Sequence, residues 1–412
     1  MDRLELAHLL GAPVGVAESG PEAIVIAERE PARFMAAFAR AAAGRGPVFL
    51  ADPLWGEDER KAAAQVVARE SAPPRPADAG RGWLMIPSGG TRGRIKFARH
   101  DEETLAAAVV GYCGHFEVTR VDWLGLLPLH HVSGLVAWFR TLLTGGRYQA
   151  WDWKRLEAGD RSARPAGSAC YCVSLVPTQL QRLLREPAAV AWLQTFDLVF
   201  LGGGPAWPAL LDGAADAGIA LSLTYGMTET AAMIAALRPA EFAAGARGSG
   251  SVLPHARVEL EPDGRVRVGG ASLFRGYYPD WRAEETLLTE DLGRWDERGQ
   301  LQVLGRRDAV IITGGEKVDP AEVEAALRAS GEFADVAVVG IADAEWGQAV
   351  TVCYPADQAL PDLERVAASL AGLAAFKRPR RYVPVAPWPR NSQGKLNPEA
   401  MRAFLGSLNK AD

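Results

Sequence analysis

An α/β fold is predicted, on three observations. Strand-like apolar runs alternate with helix-period segments from about residue 83 to residue 230, the order that builds largely parallel sheets. After about residue 245, short strands joined by tight turns take over and mark a smaller β-rich subdomain. From Leu301 the order becomes strand, charged turn, strand, glycine turn and helix, a compact α+β unit. A length of 412 residues suits two or three such units.

The elements follow in order. Residues 31–44 place apolar positions at helical spacing, and a Pro/Ala/Arg-rich stretch over residues 71–82 reads as a loop. Trp83-Leu84-Met85-Ile86 is a short strand with a glycine-rich segment directly behind it. Residues 102–116 are helical by periodicity, and residues 123–129 read as a buried strand. Residues 169–175, 178–184, 198–201, 209–217 and 219–224 continue the alternation of strand and helix. Residues 258–260 and 266–268 flank Pro262-Asp263-Gly264 and read as a hairpin. A helix over residues 320–329 starts on Pro320, with Asp319 as its cap.

Composition excludes several classes. Apolar residues make up 48% and charged ones 23%, enough for a sizeable core and a soluble surface. The net charge is -5, and arginines are scattered among acids, so no basic stripe argues for nucleic acid. Four cysteines in this length do not read as a disulfide framework. Cys170 and Cys172 lack a second Cys/His cluster to complete a metal site and read as two small core residues. The opening Met1-Asp2-Arg3-Leu4-Glu5 lacks the basic start and apolar core of a signal peptide. The longest uncharged run, residues 123–139, contains Pro128, two histidines, Ser133 and Gly134, too short and polar for a membrane span. A soluble cytoplasmic protein is expected; its oligomeric state stays open, a homo-oligomer included.

Four segments carry chemistry. Ser88-Gly89-Gly90-Thr91-Arg92-Gly93-Arg94-Ile95-Lys96 follows a strand; glycines turn backbone N–H groups toward an anion, and hydroxyls and a lysine complete a phosphate cradle. By itself it also reads as a solvated turn. Leu223-Thr224-Tyr225-Gly226-Met227-Thr228-Glu229-Thr230 offers a hydroxyl and a carboxylate to a hard cation and a tyrosine face to a base. Just upstream, Gly202-Gly203-Gly204-Pro205 bares backbone at the end of another strand, where open α/β sheets bind ligands. In the third segment, Asp291 could accept ribose hydroxyls, and Arg306 could pair with sugar or phosphate oxygens. The third continues through Asp308 to Thr313-Gly314-Gly315-Glu316, and each piece also reads as an ordinary turn. The fourth, Pro389-Arg390-Asn391-Ser392-Gln393-Gly394-Lys395-Leu396, reads alone as a solvated loop.

In this order, from about Trp83 to Leu396, the four resemble the adenylate-forming superfamily of acyl-CoA synthetases, adenylation domains and luciferases. The resemblance implies an ATP-dependent acid–thiol ligase using magnesium and coenzyme A, with a small carboxylic acid as partner. It implies stacked α/β sheets in an N-terminal domain over residues 1–307, whose β-rich subdomain spans about 245–307. A small mobile C-terminal domain over residues 308–412 would turn about Asp308. Ser88, Gly89, Gly90, Thr91, Gly93 and Lys96 match the phosphate loop, and Gly203, Gly204, Pro205 and Tyr225 the adenine pocket. Thr228 and Glu229 match the magnesium and phosphate positions, Asp291 and Arg306 the ribose site, and Lys395 the lysine that bridges carboxylate and α-phosphate. Gly314 and Gly315 would line the pantetheine channel.

Further segments narrow the acid. Leu127-Pro128-Leu129-His130-His131-Val132-Ser133-Gly134-Leu135 resembles the superfamily's acyl-pocket motif. Ser174-Leu175-Val176-Pro177-Thr178-Gln179-Leu180 is similar to a segment of 2-succinylbenzoate–CoA ligases, which serve menaquinone and phylloquinone biosynthesis. Ile86-Pro87-Ser88 with Phe97-Ala98-Arg99-His100 is closer to their cyanobacterial branch. Such an acid has a second carboxylate that needs polar company in an apolar pocket, and His131, Ser133 and Thr178 are the candidates. His131 reads also as a hydrogen-bonded core residue. Two positions depart from the family pattern: Arg92 stands where a small hydroxyl residue is usual, and Glu290 where glycine is common. Rival readings are another aryl- or acyl-CoA ligase, a free-standing adenylation enzyme, and more remotely a non-catalytic nucleotide-binding relative. The last would be signalled by loss of Lys395 or Glu229, and both are present.

Overall fold

The computed structural model describes residues 1–12, 22–74, 80–89, 95–343, 345–390, 396, 400–401 and 404–405. Four strands form the first sheet in sequential order: β1 (Ile24–Ile26), β2 (Val48–Leu50), β3 (Leu84–Gly89) and β4 (Ile95–His100). The first three run parallel and β4 returns antiparallel, placing Ser88 opposite Lys96.

The second sheet carries most of the site. Its strands are β5 (Asp122–Gly125), β6 (Tyr148–Ala150), β7 (Tyr171–Leu175), β8 (Leu198–Leu201), β9 (Leu221–Met227), β10 (Ala232–Ala236) and β11 (Ser251–Val252). Their spatial order is β11-β10-β9-β8-β7-β5-β6, and β5 to β9 are mutually parallel. Parallel strands buried on both faces read as nearly continuous apolar runs, and these do. Leu124, Val173, Val199 and Leu221 pack on one face with the helices Pro177–Leu183, Pro187–Leu193 and Pro208–Asp216. Trp123, Cys172 and Phe200 point to the other face, against Tyr112 of the helix Glu102–Phe116. That helix and the helix Val132–Thr144 also contribute Leu105, Leu135 and Phe139 to a core shared with β2 and β3 of the first sheet. The two sheets are therefore stacked with helices between them.

Antiparallel strands β12 (Ala256–Leu260), β13 (Arg265–Gly270), β14 (Thr286–Trp295) and β15 (Leu301–Arg306) make the β-rich unit. Beyond them lie the ribbon β16 (Ile311–Thr313) and β17 (Glu316–Val318), and a three-stranded sheet of β18 (Ala337–Asp343), β19 (Gly347–Pro355) and β20 (Arg381–Val385). The helix Pro320–Ala329 begins as its sequence predicts, with the Asp319 carboxylate accepting from the Ala321 N–H. Its Val323 and Leu327 pack on Val338, Val350 and Val352. The carboxy-terminal part meets the rest of the chain where the Arg328 guanidinium lies 4.7 Å from the Trp207 ring centre.

One element departs from expectation. The strand predicted over residues 123–129 stops at Gly125. The following residues leave the sheet instead, Pro128 having no N–H to give a ladder, and the chain re-enters regular structure at His131, the cap of the helix Val132–Thr144. The buried run thus serves a loop at the carboxyl end of β5. Cys170 and Cys172 are both buried and unbridged, as the composition implied. Among the described residues, no helix is long and apolar enough to cross a membrane.

Candidate active site

Because β5, β7, β8 and β9 are parallel, their carboxyl ends lie on one side of the sheet, where ligands bind in open α/β folds. The segments leaving those ends begin at residues 126–131, 176, 202–207 and 228. Together they line one open-mouthed cleft with about 800 Å³ of empty space, open solvent at the mouth included. Gly203 and Gly226 are exposed at its mouth, whereas Phe200, Met233 and Arg140 are buried at its inner end. The backbone must pass closely here: a Cβ on Gly226 would stand 2.0 Å from the Ala232 carbonyl oxygen. Gly203 adopts φ +80°, which favours glycine.

Near the mouth, Thr228 and Glu229 sit on a short 3₁₀ turn immediately after β9. Glu229 is only 7% exposed. Its Oε1 accepts from the Ser88 hydroxyl and from the Tyr277 hydroxyl, each at 2.6 Å. Its second oxygen carries no hydrogen bond among the described residues, so a hard oxygen ligand remains available to a divalent cation. The Lys96 ammonium lies 4.8 Å from the Tyr277 ring centre, which brings a cation close to the same place. Burial, and then the charge of Glu229, push the Tyr277 phenol well above its usual range, so it stays a donor. His100 holds the turn from below, one ring nitrogen 2.8 Å from the Thr228 carbonyl oxygen and the other 3.0 Å from the Thr104 hydroxyl. Burial lowers its pKa to about 4 and leaves the ring neutral.

A second cluster joins β9 to the β-rich unit. The Tyr225 hydroxyl donates to Asp291 Oδ2 at 2.7 Å, and Arg306 Nη1 lies 3.6 Å from Asp291 Oδ1. Asp291 and Arg306 face each other across β14 and β15. Burial raises the Asp291 pKa despite both partners. Arg306 also grips Asp308 bidentately, Nε to Oδ1 at 2.8 Å and Nη2 to Oδ2 at 2.7 Å, and these bonds raise its own pKa.

Toward the inner end, His131 and Ser133 line the cleft. Asp52 stands behind them, its carboxylate oxygens 3.5 Å from His130 Nε2 and 4.0 Å from His131 Nε2. The ligand atoms of these three residues lie within 4.8 Å of one another. Thr178 is not brought into the lining; its hydroxyl is 3.3 Å from Arg390 Nη1. Gly314 and Gly315 form the turn between β16 and β17 at φ +57° and +84°. Gly90, Thr91, Arg92, Gly93 and Lys395 lie outside the described residues.

Sequence reasoning missed Tyr277, His100, Asp52 and Arg140. Tyr277 reaches the site because an isolated bridge pairs it with Ala98 on β4, and nothing in the run Phe274-Arg275-Gly276-Tyr277 declares that contact. Arg140 had a usable signal: it is a single charge in the apolar stretch of residues 132–144.

The sequence profile of the AMP-binding enzyme family matches residues 13–278, and that of the AMP-binding enzyme C-terminal domain matches residues 322–395. The chain belongs to the AMP-binding enzyme family. Among the relatives of this AMP-binding enzyme is a probable 2-succinylbenzoate–CoA ligase of Mycobacterium tuberculosis (strain CDC 1551 / Oshkosh), 35% identical over 345 residues that cover 79% of this chain and 86% of the relative. The 2-succinylbenzoate–CoA ligase of Bacillus pumilus is 32% identical, covering 78% and 69%. A solved variant of E. coli MenE with bound OSB-AMS superposes with a TM-score of 0.74 at 25% identity, over 98% of this chain and 91% of that one. The o-succinylbenzoate CoA synthetase of Bacillus subtilis shares the fold at a TM-score of 0.77 and 23% identity, with the same coverage.

Proposed function

We propose that this AMP-binding enzyme is an ATP-dependent 2-succinylbenzoate–CoA ligase acting in the cytoplasm, in menaquinone or phylloquinone biosynthesis. The succinyl carboxylate attacks the α-phosphorus of ATP, forming an acyl-AMP anhydride and expelling pyrophosphate. The sulfur of coenzyme A, having lost its proton, then attacks the acyl carbon, and AMP leaves as the thioester forms. The observation that carries this reading is one cleft joining a polar mouth beside Glu229 to a largely apolar inner end that holds His131, Ser133 and Arg140. Relatives named for 2-succinylbenzoate, matched along 86% and 69% of their lengths, support the choice of acid.

A carboxylate is a poor nucleophile toward an anionic phosphate, so positive charge must offset the charge that gathers at phosphorus. Glu229 and Thr228 would hold magnesium, the Glu229 oxygen that carries no hydrogen bond among the described residues fitting that role. Magnesium, when bound, offsets phosphate charge. Lys96 and Lys395 add cationic charge from the two loops. Ser88, Gly89, Gly90, Thr91 and Gly93 receive the phosphates; Gly203, Gly204, Pro205 and Tyr225 hold the adenine; and Asp291, with Arg306, takes the ribose hydroxyls. The thioester step needs a different geometry, supplied by rotation of residues 308–412 against residues 1–307 about Asp308, with Gly314 and Gly315 along the thiol's path.

The test is thioester formation with ATP, magnesium and coenzyme A, comparing 2-succinylbenzoate with benzoate, other 2-acylbenzoates and a fatty acid. A strong preference for 2-succinylbenzoate is expected. Another preferred acid would overturn the substrate, and pyrophosphate release without thioester would point to a carrier-protein acceptor. Lys395→Ala is expected to abolish acyl-AMP formation while largely sparing thioester formation from supplied acyl-AMP. Equal loss in both half-reactions would remove Lys395 from its role.

A further inference from the structure

Two consecutive histidines and an aspartate converge beside the cleft. Asp52 follows β2, two residues past Leu50, and His130 and His131 close the loop that leaves β5. The carboxylate lies 3.5 Å from His130 Nε2 through Oδ1 and 4.0 Å from His131 Nε2 through Oδ2. The two imidazole rings are centred 4.4 Å apart and tilted by 47°. Among the described residues, this is the one group of three or more His, Cys, Asp or Glu side chains whose ligand atoms gather within 4.8 Å of one another. Asp52 and His130 are buried, whereas the His131 side chain is 17% exposed and lines the cleft.

The spacing is too wide for direct hydrogen bonds and suits an ion between the groups. An N–H donates to an oxygen at roughly 2.7–3.2 Å, and both separations exceed that. Ligands of a tetrahedral zinc ion, bound at about 2.0–2.2 Å, stand roughly 3.3–3.5 Å apart. The Asp52–His130 separation meets that value, and the Asp52–His131 separation closes on it with a small side-chain adjustment.

The frame is held from both sides. Asp52 Oδ1 also accepts the Leu54 N–H at 2.8 Å. A carboxylate has roughly four acceptor positions, so this bond orients the group without using it up. The histidine loop packs closely on the helix it precedes. The His131 N–H donates to the Pro128 carbonyl at 3.2 Å, and a Cβ on Gly134 would stand 2.2 Å from that same oxygen. Glycine at position 134 therefore lets the first helical turn lie against the loop and fixes where both rings start.

Donor type selects the ion. Two imidazole nitrogens and one carboxylate oxygen suit zinc, whereas magnesium takes oxygen ligands and keeps its waters. The positive end of the helix Val132–Thr144, capped by His131, opposes a cation there, but three direct ligand bonds outweigh that field. We propose that Asp52, His130 and His131 form a zinc-binding site, built from other residues than the magnesium position at Glu229. The site makes the cleft responsive to zinc, because an imidazole that ligates an ion no longer offers its lone pair to a ligand in the cleft.

The test is zinc titration of the full chain, stripped with chelator and held in excess magnesium without ATP or acid. Bound metal is read by competition against a chromophoric chelator. It needs no substrate, so its outcome is separate from the choice of acid. One zinc per chain is expected. Affinity should fall at least about 10-fold in each of His130→Gln, His131→Gln and Asp52→Asn, the scale at which even an outer-shell partner acts. Cobalt in place of zinc in wild type is expected to give tetrahedral d–d bands without a thiolate charge-transfer band. A thiolate band would put the metal on cysteine and overturn the proposal, with no variant needed. So would zinc that excess magnesium displaces, or binding unchanged in variants whose melting temperatures show them folded.

Discussion

At the mouth of the cleft, Glu229 takes hydroxyl bonds from Ser88 and Tyr277, Asp291 takes one from Tyr225, and Arg306 clamps Asp308. At the inner end, Arg140 Nε and Nη2, and beside that residue both ring nitrogens of His255, have no hydrogen-bond partner among the described residues. Two histidines make the contrast sharp. His100, under the Thr228 turn, and His255, beside Arg140, are both held neutral with pKa near 4 by burial. The His100 ring is bonded on both sides, and the His255 ring on neither. A satisfied network positions its groups before any ligand arrives. An unsatisfied group makes the site selective for the ligand that completes it.

The largest expected effect lies at the satisfied end. Glu229→Gln keeps the shape and the two incoming hydroxyl bonds but removes the negative charge. Pyrophosphate release should fall by about 10²–10³ with the melting temperature little changed. A rate within threefold of wild type would show that the charge is not used.

Acid titration comes next. A histidine with a depressed folded pKa destabilises the fold as pH falls from the unfolded value of 6.5 toward about 4, because only the unfolded chain takes up the proton. The contribution is about 3 kcal/mol for each such ring. Urea denaturation of His100→Gln should therefore show that much less loss between pH 6.5 and 4 than wild type, although the variant starts lower at pH 7.5 for want of two good hydrogen bonds. An unchanged acid slope would mean that His100 is not the titrating group.

The smallest effect separates the two histidines. At pH 7.5, His255→Leu should stay within ~1 kcal/mol of wild-type stability, since no hydrogen bond is lost and two bare polar atoms disappear. A loss as large as that of His100→Gln would erase the contrast between the two ends.

The segments legible in the sequence are those whose meaning is local. Asp319-Pro320 announces its helix, and the strands β7 to β9 stand out as apolar runs followed by Val176, Gly202 and Thr228. Thr228 with Glu229, and Gly203 with its neighbours, were readable because a turn at a strand end needs those residue types within a few positions. Residues 126–129 misled as a strand because an apolar run looks the same whether it pairs in a sheet or lines a cleft.

By itself, then, the sequence determined the order of units, the parallel sheet and the chemical types at the mouth of the cleft. Only the tertiary structure decided which of those groups meet. Ser88 reaches Glu229 across 141 positions and Tyr277 reaches it across 48, and no local pattern encodes such approaches. The same holds for what fails to meet. A lone arginine in an apolar helix has no visible state of pairing until packing surrounds it, and here packing surrounds Arg140 with aromatic faces and, among the described residues, gives it no carboxylate. Local preference follows from backbone geometry over a few residues, whereas desolvation and pairing depend on everything that is brought close in space.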